Sequence, residues 1–279
     1  MANSPKTTKP RPDFKLFLGP ALAAACILGG LFMEGGKLND LHQLSAALIV
    51  FGGTAGAMLL TTPFALIGSA SRRLGSLLWV RNYRPAELVA QITDYARIAR
   101  RHGPQSLEEL VVAIEDPIWR KAMMLAVDGA DEQTIRESMD LEMNIQGMEA
   151  DNDAGVFEAA AGYAPTIGIL GAIIGLIQVM KHIDDLAAVG AGIATAFVAT
   201  VYGVGLANLV LFPLAQRLRL NSQRTLLMNE LVVEGAIGIR EGVNPLMLRT
   251  KLGAFAPAER TVDRPKVVAA KPDRLSLSA

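Results

Sequence analysis

The sequence predicts an all-α, polytopic membrane protein with four transmembrane helices and a helical cytoplasmic domain between the second and third. Three observations carry that expectation. Hydrophobic residues make up 51% of the 279 positions and charged ones only 19%. The apolar residues gather in uncharged runs close to the roughly 20 residues that cross a hydrocarbon core. Glycine is plentiful and aromatic residues are scarce, at 26 residues and 5%, as in helices that pack through small residues in lipid. The formal net charge is zero, which leaves no electrostatic case for nucleic acid. A single cysteine, Cys26, permits neither an internal disulfide nor a cysteine metal cluster. His42, His102 and His182 are scattered without ligand spacing. No metal or cofactor is expected.

Residues 1–13 read as a polar cytoplasmic lead, basic at Lys6, Lys9 and Arg11. Residues 14–62 read as a transmembrane hairpin. Its first apolar run, 14–33, contains Ala23-Ala24-Ala25-Cys26, which with the basic lead mimics a lipoprotein signal. Ala23 stands where such signals carry Leu, and the run continues past the cysteine, so a retained helix accounts better for its length. A polar turn at 34–40 leads to the second span, 44–60, which contains Phe51-Gly52-Gly53-Thr54-Ala55-Gly56. No Gly-Lys-Ser/Thr follows, so this is no phosphate loop; Gly52-x-x-x-Gly56 has the spacing of a close helix contact. Pro63 stops the span.

Residues 63–162 read as the cytoplasmic helical domain. Arg72, Arg73, Arg81 and Arg84 follow the second span at once. Pro85 suits a first helical position, and Leu88, Ile92, Tyr95 and Ala99 share one helical face. Gly103-Pro104 ends that helix, Ser106 with Glu109 predicts a capping box, and Asp116-Pro117 breaks the chain again. Residues 131–158 form an acid-rich helical pattern.

The second transmembrane hairpin is expected over 163–214. Its third span, 164–180, carries Pro165 and the glycines Gly168, Gly171 and Gly175; a polar turn follows, and the fourth span runs over 193–214. Gly171-x-x-x-Gly175 on one side, with Ala196, Thr200 and Gly203 on the other, predicts close approach. Pro165 frees a carbonyl one turn back, which at membrane depth must face protein or a wet cavity. Pro213 is expected to close the fourth span. Residues 215–256 read as a cytoplasmic helical tail and 257–279 as a disordered tail. Lys and Arg concentrate in the lead, after Pro63 and after Pro213, which places both termini in the cytoplasm by the positive-inside rule.

Beyond Lys15 at the threshold of the first run, no span holds an Asp, Glu, Lys, Arg or His. A proton path needs a titrating group at depth. If this chain conducts protons, the carboxylate comes from another polypeptide. Thr166, Thr195 and Thr200 are among the polar groups left there. An isolated Thr in a helix usually bonds back to its own carbonyl; Thr200, on the close-approach face, is expected to be the exception. No nucleophile–base pair or nucleotide loop is present, so an enzyme is not expected.

These residues carry a resemblance. Gly162-Tyr-Ala-Pro-Thr-Ile-Gly-Ile-Leu-Gly, Val50-Phe-Gly-Gly-Thr-Ala-Gly-Ala, Thr200-Val-Tyr-Gly and Glu234-Gly-Ala-Ile-Gly-Ile-Arg-Glu-Gly-Val-Asn-Pro are similar to motifs of the MotA/PomA family of flagellar motor stator proteins. The order of two spans, a block of about a hundred residues and two further spans agrees with that family, over 16–255. The related TolQ/ExbB proteins, three-span energisers of envelope transport, are the alternative; a passive membrane scaffold is another. The resemblance implies a bacterial inner-membrane protein embedded in lipid, a ring of five copies, and two single-span MotB-type partners that bring the channel aspartates. It makes Pro165 and Pro213 the prolines that couple ion flow to torque, Thr200 the threonine beside the partner's aspartate, and Arg100 and Glu108 the charges that contact the rotor protein FliG. Without it, a solvated helix face is the simpler reading of both charges. His42-Gln43-Leu44-Ser45 departs from the family's acidic-x-Pro-Ser. Sodium-type stators resemble this chain but place Thr at the positions of Ala172 and, often, Ala199. A hydroxyl can help replace a cation's water shell and a methyl cannot, so the expected ion is H⁺ rather than Na⁺.

Overall fold

The computed structural model describes residues 11–12, 15–77, 79–80 and 85–255. The expectations for residues 1–10, for Arg81 and Arg84, and for the 257–279 tail fall outside them. Helix α1 spans Lys15–Met33. After a 3₁₀ turn at Leu38–Leu41, α2 spans Leu44–Thr61, with a π-helical stretch at Leu48–Gly52. The remaining helices are α3 (Phe64–Leu77), α4 (Pro85–His102), α5 (Glu108–Val112), α6 (Pro117–Val127), α7 (Glu132–Lys181), α8 (Leu186–Arg240) and α9 (Pro245–Leu252). The described strand structure is one antiparallel pairing of Arg11–Pro12 with Trp79–Val80. Among the described residues three helices, α2, α7 and α8, are long and apolar enough to cross a membrane. The described apolar part of α1, Leu18–Met33, is shorter.

The helix ends follow local chemistry. Pro85, Pro117 and Pro245 open α4, α6 and α9, where the missing N–H costs nothing. Asp116, Asp131, Asp185 and Asn244 cap their helices, accepting from the backbone N–H of Trp119, Thr134, Ala187 and Leu246 at 2.9–3.0 Å. The Ser106–Glu109 capping box does not form. Gly103, at φ +86°, turns the chain and Pro104 starts a 3₁₀ turn through Leu107. Ser106 Oγ is thereby spent on the Gly103 carbonyl at 2.6 Å.

Two expected boundaries vanish into long helices. α7 runs unbroken for 50 residues from the polar block through the third span. Glu158 is the last acid before the apolar stretch; composition changes there, but backbone hydrogen bonding does not. Pro213 does not end the helix either, because α8 continues through it to Arg240. A π-helical stretch, Leu206–Leu211, comes immediately before it. A π-turn widens the helix where the proline ring would otherwise meet the preceding turn.

The main core sits outside the apolar hairpins. Ile92, Leu107, Ile114, Met123, Ile135, Met139, Leu231, Ile237, Leu248 and Leu252 are all almost wholly buried in one cluster. The blocks expected separately at 63–162 and 215–256 therefore share a single core. Gly235 and Gly238 let α8 into it: a methyl at either would lie 2.7 Å from Ile92 and 2.5 Å from Leu248.

Candidate functional site: the close-packed hairpin and its base

The apolar segments of α7 and α8 touch backbone to backbone. A methyl at Gly203 would lie 2.5 Å from the Ala164 carbonyl oxygen; at Gly168, 2.9 Å from the Ala199 carbonyl oxygen; at Gly175, 2.7 Å from the Gly192 carbonyl oxygen. Gly171 takes the Ala199 methyl, which a side chain there would meet at 2.7 Å. Distances this short are available only to glycine, so these positions let the two helices pack in close contact. Pro165 is half-buried beside the Ala164–Gly203 contact. Pro213 is exposed, Ala172 half-buried, and Ala199 fully buried. The Ala199 methyl thus faces Gly171 and Ile49-side packing rather than an open path.

Gly52 and Gly56 do not make the expected contact within the chain. A methyl at either meets nothing within 4 Å, whereas one at Gly53 would strike Ile167 at 2.7 Å. Helical rotation explains the shift: Gly53, one position on, is the residue that points at α7.

The three threonines of the second hairpin bond back to their own helices. Thr166 donates to Tyr163 O (2.7 Å), Thr195 to Ala191 O (2.9 Å) and Thr200 to Ala196 O (3.1 Å). Thr200 is therefore not the expected exception, since its nearest acceptor is the carbonyl four residues back. Back-bonding spends the proton and leaves the oxygen lone pairs able to accept. At the far end, Gln43 donates to Thr195 Oγ1 at 2.6 Å and Tyr202 OH donates to the Leu41 carbonyl. These ties fix the turn in which His42–Ser45 departs from the family pattern.

At the base of the hairpin lies a group that sequence reasoning missed. Asp153 is 3% exposed, accepts from Ser69 Oγ at 2.5 Å and pairs with Arg73 Nε at 2.6 Å. Arg219 of α8 pairs with Glu158. Both pairs bolt α7 to its neighbours just below its apolar part. The only signal for the first was the Arg72-Arg73 doublet, which in the sequence speaks of topology. Arg100 and Glu108 are both exposed, at the end of α4 and the start of α5, on either side of the Gly103 turn.

The model of the MotA/TolQ/ExbB proton channel family matches residues 111–230, and that of the motility protein A N-terminal region matches 17–103. Motility protein A of Bacillus subtilis (strain 168) is 31% identical over 88% of this chain and 92% of its own. The chain belongs to the MotA/TolQ/ExbB proton channel family. YtxD of the same organism, itself uncharacterised, is 32% identical over 91% of this chain and 93% of its own. Among solved structures, the C. jejuni MotAB structure superposes with a TM-score of 0.84 at 31% identity, covering 89% of this chain and 98% of that one. The flagellar MotAB stator complex of Bacillus subtilis gives 0.82 at 29% identity, over 88% and 96%. Within the family the chain is a stator subunit of the motility protein A type. The family is one of ion-channel and stator subunits, not a known family of enzymes.

Proposed function

We propose that this chain works with a single-span MotB-type partner as a proton channel that turns ion flow into torque on the flagellar rotor. The observation that carries the reading is the α7–α8 hairpin. Its apolar segments, 164–180 and 193–214, pack closely, hold Pro165 at depth and contain no Asp, Glu, Lys, Arg or His. A path through it needs a carboxylate from elsewhere, and the two stator structures it matches are complexes of a MotA with a MotB. Five copies surround two partners in this reading. Four spans, α1 included, sit in the bacterial inner membrane with both termini in the cytoplasm, supported by the Lys/Arg distribution. The chain performs no catalysis and needs no cofactor. Arg100 and Glu108, exposed around the Gly103 turn, meet FliG.

Thr200 is the oxygen this chain offers near the partner's aspartate, and Ala172 adds only a methyl. A proton needs the carboxylate and a water file, whereas Na⁺ needs several oxygens. The test is swimming speed at fixed proton-motive force. Speed should persist when external Na⁺ is removed and collapse with a protonophore. Collapse without Na⁺ and survival with the protonophore would overturn the assignment of H⁺.

A further inference from the structure

Helix α3 packs against α7. Ser69 and Arg73 both reach Asp153, while Leu77 shares a cluster with Ala154 and Leu218. The side of α3 from Leu66 to Leu77 is thus spent on α7 and its neighbours. The level is set by Met58 in the last turns of α2, which clusters with Val156 and Ala70. Asp153 is five residues, about 7.5 Å, below Glu158, the last acid before the apolar part. The headgroup zone of a leaflet is about 5–7 Å deep, which puts Asp153 at its water-side edge.

A cavity of about 420 Å³ opens there, between α3, α7 and α8. Ligand pockets commonly measure about 300–1,000 Å³. Its lining includes Arg72, Arg73, Asp153, Gln146, Asn221 and Ser222. Asp153 is already held by Ser69 and Arg73, so it is not a cation site. Arg72 is exposed, makes only a long 3.4 Å bond to Gly68 O, and has no carboxylate within ion-pair distance among the described residues. A guanidinium fork beside neutral donors is the arrangement that takes a phosphate bidentately, and basic pockets at this depth suit lipid headgroups.

We propose that this cavity is a phospholipid site, taking the phosphodiester of an anionic glycerophospholipid from the adjoining leaflet on Arg72, with Asn221 and Ser222 serving the headgroup. A lipid seated there ties α3 to α7 and α8 at the base of the torque-bearing hairpin. The assignment of this leaflet as the inner one rests on the topology proposed above; the binding itself does not.

The test uses the full complex with its single-span partner, delipidated in detergent and titrated with dioleoyl phosphatidylglycerol under native mass spectrometry. Wild type should bind it about tenfold more tightly than phosphatidylcholine, the equivalent of one charge-assisted hydrogen bond. Arg72→Gln should remove that preference, and so should Ser222→Leu, which fills the cavity without changing charge. In hydrogen exchange on wild type, which needs no variant, the lipid should protect 69–73 and 221–225. Equal binding of both lipids, unchanged preference in both variants, or protection elsewhere would overturn the site. Displacement of the lipid by inorganic phosphate at matched concentration would overturn the lipid as its source.

Discussion

At the residue scale, the molecule turns on where a side chain is impossible. A valine at Gly203 would drive its Cβ to 2.5 Å from a backbone oxygen that cannot move aside. Gly203→Val should cost about 1–3 kcal/mol of stability and lower the folded protein recovered from membranes. Gly52→Ala meets only open space and should leave the chain equally stable, or up to about 1 kcal/mol more so. Thermal unfolding of both variants in detergent checks the contrast; a destabilised Gly52→Ala would contradict the open setting. Pro165 is different, because its role is what it withholds. It leaves the Ala161 carbonyl without its helical donor, next to the tightest part of the hairpin. Pro165→Ala should restore that bond, insert normally and generate less torque. Bead-assay torque at matched membrane levels is the readout, and wild-type torque would argue against a coupling role for Pro165.

At the element scale, the return of α8 into the polar core is secured by one acid. Glu234, 9% exposed, pairs with Arg136 of α7 at 2.7 Å and with Lys251 of α9 at 2.6 Å. Burial pushes its carboxyl up, but the hydrogen bonds from Lys251 and Arg136 and their charges outweigh that and hold it below the usual carboxylate range. The same pairing pushes the Arg136 guanidinium up. A lowered folded-state value means the stabilisation is present above the unfolded carboxylate pKa, about 4.3, and is lost as pH falls through the folded one. Glu234→Gln should therefore cost about 2 kcal/mol at neutral pH. The gap in melting temperature from wild type should stay constant down to about pH 5 and close below about 4.3. A gap that did not depend on pH would place the cost in packing instead.

At the scale of the whole molecule, α7 joins a membrane hairpin to a polar core as one 50-residue rod, and α8 returns beside it. In the function proposed above, force passes from the hairpin along α7 to the shared core and the exposed turn that carries Arg100 and Glu108. Charge reversal at either, Arg100→Glu or Glu108→Lys, should impair swimming while leaving ion conductance of the assembled complex unchanged. An equal loss of conductance would make them structural. Both lie outside the helix pair and their side chains are exposed, so surface ion-pair energetics, at most about 1 kcal/mol each, set the scale of any folding effect.

What the sequence determined by itself was set by composition and short-range pattern. Uncharged runs specify membrane-crossing helices because a charge in hydrocarbon is costly at any point along them. Pro85 marks a helix start, and Asp116-Pro117 a break, because those effects act within one turn. The small-residue spacing of Gly168, Gly171, Gly175 and Gly203 marks a contact stripe for the same reason. Tertiary structure decided which stripe has a partner inside the chain: Gly53 faces α7 and Gly52 does not, a rotation of one residue that periodicity in a helix apolar all round leaves open. It decided that α8 passes through Pro213, since that depends on the π-helical stretch before it. It alone brought Ser69 and Arg73 to Asp153, 84 residues away from Ser69. A buried carboxylate and its partner leave no local trace in a sequence, because the energy that joins them is gained only once the helices between them have packed.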